Sequence, residues 1–146
     1  MTASGDVEPA RGGGARSRPW FTVALLAGAL YLVIGRAFPA PIAHVRAWRF
    51  AAWLVSGIVF AAHIWYEHVR LRHAPAITAR HAATGVAIGA FALAAAGMVR
   101  TLAVESAIRP RWFLALVAWP LVTALPAFLV AIVTATVLRR LRPSPP

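Results

Sequence analysis

Apolar residues dominate the chain in four long blocks, Trp20–Phe38, Trp48–Tyr66, Ala82–Val104 and Phe113–Leu138, separated by short basic or proline-bearing segments. A helix crosses a hydrocarbon core with about 20 mainly apolar residues, and each block is near or above that length. The pattern therefore predicts an all-α fold, an integral membrane bundle of four transmembrane helices. Residues 1–18 form a separate region, with Gly12, Gly13 and Gly14 in a row and few large apolar side chains. That composition reads as a disordered basic tail. The membrane domain is assigned to residues 19–138, and residues 139–146 to a short basic, proline-rich tail.

The connections carry their own signals. Pro39 and Pro41 stop the first helix. The second is expected to continue as helix toward His73, before Pro75, and Thr78 is the expected N-cap of the third. The first span has a long apolar core and no small-x-small site after Arg36, so it reads as an uncleaved helix rather than a signal peptide. Pro120 and Pro126 each remove a backbone hydrogen bond from the fourth span and are expected to kink it.

Charge refines the picture. The 146 residues are 60% hydrophobic and carry a net charge of +11. All basic residues other than histidine are arginine. Such a balance on a soluble domain points to nucleic acid. Here the arginines flank apolar spans, where they set orientation and meet lipid phosphates, so the expected partner is the bilayer and no nucleic acid. With four spans, both termini and the second loop share one side. That side holds nine arginines (Arg11, Arg16, Arg18, Arg70, Arg72, Arg80, Arg139, Arg140, Arg142) against six on the other (Arg36, Arg46, Arg49, Arg100, Arg109, Arg111). The bias places both termini in the cytoplasm. The chain lacks cysteine, which excludes thiolate metal sites and thiol redox chemistry. Its richness in Ala, Arg, Gly and Pro suits a GC-rich bacterial source, giving a bacterial inner-membrane localisation.

Candidate chemistry concentrates in the second span. At 100° per residue, Arg49, Trp53, Ser56, Phe60, His63, Glu67 and Arg70 fall within a sector of roughly 100°. A polar face of this kind is expected to point into the bundle. His63 and Glu67, four residues apart, can touch, and His81 at the start of the third span lies nearby. Two candidate sites follow: a transport or proton site of His63, Glu67, Ser56 and Arg70, and a metal site of His63, Glu67 and His81. The bland alternative is an interface pair in which Glu67 bonds Arg70 or Arg80. Arg46, Arg49, Arg100, Arg109 and Arg111 form a candidate headgroup or anionic-lipid rim, with Arg100, Thr101 and Glu105 clustered at the end of the third span. Gly85 and Gly89, in a small-xxx-small pattern, mark a close-packing face. It serves either the monomer or a homo-oligomer.

The chain has no phosphate-binding glycine loop, no G-x-S-x-G and only four acidic residues, so enzymatic signatures are absent. A bound cofactor is not expected. The first functional expectation is an accessory or structural membrane subunit that binds a partner or lipid. The second is a small oligomeric proton- or ion-linked transporter or channel using His63 and Glu67. The third is a membrane enzyme or a haem protein with His63 and His81 as axial ligands.

Overall fold

The computed structural model describes residues 19–38, 44–105 and 110–141. Four helices follow in order: α1 (Pro19–Ala37), α2 (Val45–Val69), α3 (Pro75–Glu105) and α4 (Arg111–Arg140). All four are long and apolar enough to cross a membrane. The expected blocks are all present; α1 matches its block to within a residue at each end, and α2, α3 and α4 overrun theirs because Arg and interfacial residues extend the ends beyond the hydrocarbon-length core.

α3 is the central helix, packing along both α1 and α4, while α2 touches the others more sparingly. The α1–α3 seam is built on glycine. A Cβ placed on Gly89 would lie 3.1 Å from the Gly28 carbonyl oxygen and 2.7 Å from the Tyr31 Cβ. One on Gly85 would lie 3.4 Å from the Ala24 carbonyl oxygen. Bare backbone at these points lets two parallel helices approach closely, so the Gly85/Gly89 face is turned onto α1 within the chain. The rest of the core is equally small-featured: Ala79 and Ala82 of α3 meet Ala131 of α4 and Ile64 of α2.

Two boundaries differ from expectation. α2 ends at Val69 rather than near His73. The Arg70 N–H donates to the Tyr66 carbonyl at 2.9 Å, and Arg72 takes a left-handed conformation (φ 51°) that turns the chain back. Thr78 is not an N-cap. α3 already begins at Pro75, where the missing proline N–H loses no helical bond. The Ala74 carbonyl accepts from the Ile77 and Thr78 N–H groups at 2.9 and 3.0 Å. Thr78 is instead fully buried inside the helix.

The polar face of α2 also divides. His63 and Glu67 are buried, Ser56 and Phe60 are half-buried, and Arg49, Trp53 and Arg70 are exposed. The expectation that the whole face points inward fails for its first half and for Arg70, because the buried residues of α2 are confined to its last two turns. Between the middle of α2 and the other helices lies an open apolar groove of about 620 Å³, whose walls include Tyr31, Trp53, Phe60, Leu93 and Trp119.

Candidate ion site

Glu67 sits where α2, the α2–α3 turn and α3 converge. It is fully buried and is the only carboxylate side chain among the described residues. Burying a carboxylate is costly unless hydrogen bonds and charge partners replace its water. Here imidazoles do so. Oε2 accepts from His73 Nδ1 at 2.6 Å and from His81 Nδ1 at 2.9 Å. On the other side, Oε1 faces His63 Nε2 at 3.9 Å, a separation beyond hydrogen-bond range. Neither Oε1 nor either ring nitrogen of His63 has a hydrogen-bond partner, although all three atoms are buried.

Each side chain of the cluster is positioned by a different local device. His63 and Glu67 share a face of α2 through their i, i+4 spacing. The Cε1 of His63 packs where a Cβ on Gly85 would come within 3.3 Å, so that glycine makes room for the imidazole. His81 stands one turn into α3 with its ring stacked on Trp20 of α1, centroids 4.4 Å apart and planes 6° from parallel. His73 arrives through the reversal at Arg72: its N–H reaches back to the Glu67 carbonyl at 3.4 Å while its ring reaches the Glu67 carboxylate. The His73 and His81 rings meet edge to face at 5.3 Å.

The structure thus brings together His63, Glu67 and His81, and adds His73. Ser56 and Arg70 lie apart from this group. Ser56 lines the apolar groove about three turns earlier on α2, and Arg70 projects outward. Arg80 is also exposed, and among the described residues Glu67 faces histidines rather than arginines. Arg46, Arg49, Arg100 and Arg111 are exposed near the opposite end of the bundle, where Phe38 contacts Trp48 and Gly97 approaches Trp112. Arg109, the Glu105 side chain, residues 1–18 and residues 142–146 lie outside the described residues.

His73 was missed from sequence because a helix continued through it would have pointed its ring elsewhere. Six residues beyond Glu67 corresponds to about 120° around the helix axis. The one available signal was its place just before Ala74-Pro75, since a helix seldom runs through the residues preceding proline.

Chemically, the cluster offers two imidazole nitrogens and a carboxylate oxygen within 4.8 Å of one another, with a third imidazole facing the second carboxylate oxygen. This donor set can hold a cation or pass charge between side chains. Fold and site together define a multi-pass helical membrane protein with a carboxylate–imidazole cluster at one end of its bundle. No protein-family model, curated protein or solved structure matches the chain.

Proposed function

We propose that the protein is a small ion-linked membrane transporter or channel whose working site is the Glu67 cluster. The observation that carries this reading is the convergence of three imidazoles on one fully buried carboxylate. Intramembrane ionisable groups commonly mark ion pathways. The arginine distribution supports placing both termini, and with them the cluster, on the cytoplasmic side of a bacterial inner membrane. A single four-helix bundle leaves little room for a pore, so the working unit is an oligomer.

The test is cation flux in liposomes containing the full chain. Flux above that of protein-free vesicles, lost in Glu67→Gln, is the expected result. Flux unchanged in that variant, or none in the parent, removes the reading. The accessory reading then takes its place. It draws its support from the open groove beside α2, an apolar surface suited to a lipid chain or to a helix of a partner subunit.

A further inference from the structure

We infer that Glu67, His73 and His81 form a binding site for one divalent transition-metal cation of the zinc class, beside a further buried imidazole, His63. The inference rests on the reading of this cluster as an ion site and names the ion.

The donor set selects the metal class. Imidazole nitrogen suits zinc, copper, nickel and iron, whereas calcium and magnesium require six or more oxygens. The cluster offers one carboxylate and three imidazoles, and Arg70, Arg72 and Arg80 stand exposed on the surrounding turns. Hard cations would thus find too few oxygens and a repulsive surround, and affinity must come from nitrogen.

Geometry fits a closed, small site. Zinc–nitrogen and zinc–oxygen bonds of about 2.0–2.1 Å in a tetrahedron put ligand atoms about 3.3 Å apart. The Nδ1 atoms of His73 and His81 lie 2.6 and 2.9 Å from Glu67 Oε2. Separations of that size belong to a hydrogen-bonded, ion-free arrangement, and spreading them by less than 1 Å admits the cation. Both nitrogens already converge on one carboxylate oxygen. Metal entry replaces the two N–H···O bonds. The hydrogen on each Nδ1 moves to Nε2 of the same ring, or leaves to solvent where that ring is an imidazolium.

The second, independent observation is His63. Its side chain is only 2% exposed. Both ring nitrogens lack hydrogen-bond partners, and Nε2 stands 3.9 Å from an Oε1 that is equally unpartnered. Two buried polar atoms facing each other beyond hydrogen-bond reach are costly unless something bridges them, and a water carried by a cation on the carboxylate supplies that bridge. Trp20 is a positioning residue: its stack on His81 fixes the imidazole plane, the role that outer contacts play around metal ligands.

The test is a titration of the tag-free full chain in detergent with Co2+, a coloured stand-in for zinc, read as visible d–d absorption and by displacement with Zn2+. The expected result is saturation at one Co2+ per chain with the intense absorption of a four-coordinate ion. Affinity should fall about tenfold or more in His73→Gln and in Glu67→Gln, and should be unchanged in His44→Gln, an exposed histidine at the opposite end. Thermal unfolding of each variant shows that it is folded. His73 is partly exposed, so its variant is the one least prone to misfold. No saturable binding overturns the proposal, as does binding that survives both His73→Gln and Glu67→Gln. Cation flux without Co2+ binding overturns the metal site and leaves the transport reading standing. Site-dependent Co2+ binding without flux does the reverse.

Discussion

Trp20 lies flat on His81, with ring centroids 4.4 Å apart and planes 6° from parallel. The contact joins the first turn of α1 to the first turns of α3, at the end of the glycine seam that holds these helices together. It also restricts the α3 side chain that bonds Glu67. A residue near the start of the first span thereby restricts the orientation of an imidazole on the third.

Trp20→Leu should keep the fold, since an apolar side chain still faces lipid and neighbouring helices. It should weaken Co2+ binding about tenfold, within the range typical of lost outer-shell support. Trp20→Phe should recover most of that loss by restoring a ring. Equal affinity in Trp20→Leu and the parent would show that the stack does not position His81.

Adding Zn2+ should raise the thermal midpoint of the parent protein, because a ligand held only by the folded state stabilises it. The gain is about 2.7 kcal/mol at a hundredfold excess over the dissociation constant. A strong chelator should reverse the shift, and Glu67→Gln should show none. The check is thermal denaturation with and without each additive.

Arg72 holds the left-handed conformation that turns His73 back toward Glu67. Left-handed backbone costs an ordinary L-residue about 1–2 kcal/mol and glycine almost nothing. Arg72→Gly should therefore leave metal affinity intact and slightly raise stability. Arg72→Val, β-branched and poorly tolerated at positive φ, should lower both. Paired Co2+ titrations and detergent unfolding curves of the two variants separate these outcomes.

Glycine substitutions along the helices should divide by location. Gly89→Ala forces a methyl to within 2.7 Å of the Tyr31 Cβ and 3.1 Å of the Gly28 carbonyl oxygen. Overpacking of this kind costs about 1–3 kcal/mol. A Cβ on Gly57 meets nothing within 4 Å, so Gly57→Ala should be neutral or stabilising by up to about 1 kcal/mol through reduced chain entropy. Unfolding in mixed micelles measures both. Equal destabilisation would mean that the α1–α3 seam is not the tight contact described.

The four spans were legible in the sequence because membrane helices are specified by run length and apolar content, which need no knowledge of the fold. The His63–Glu67 pair was legible for a similar reason, as a spacing of four fixes two side chains on one helix face wherever that helix lies. His81 followed from its nearness to the α2–α3 connection. What escaped was any feature set by where a helix stops. His73 depends on a chain reversal at Arg72, a residue type that gives no hint of left-handed backbone, and Thr78 became interior once Pro75 opened α3. The exposure of Trp53 escaped as well. It depends on how α2 leans against its neighbours, and amphipathic periodicity describes a face without saying how far along its length that face is covered.

α2 is fastened chiefly at one end. Its buried residues lie in its last two turns, where Ile64 packs on α3 and α4 and Glu67 accepts bonds from the turn and from α3. The other three helices, by contrast, are joined along their lengths by alanine and glycine packing. Unfolding should therefore proceed in two stages. α2 swings out as a unit when its polar latch opens, while α1, α3 and α4 persist as a three-helix remnant. Amide exchange along α2 then reports the state of one carboxylate, and whatever occupies the cluster decides whether the fourth helix belongs to the bundle or to the lipid.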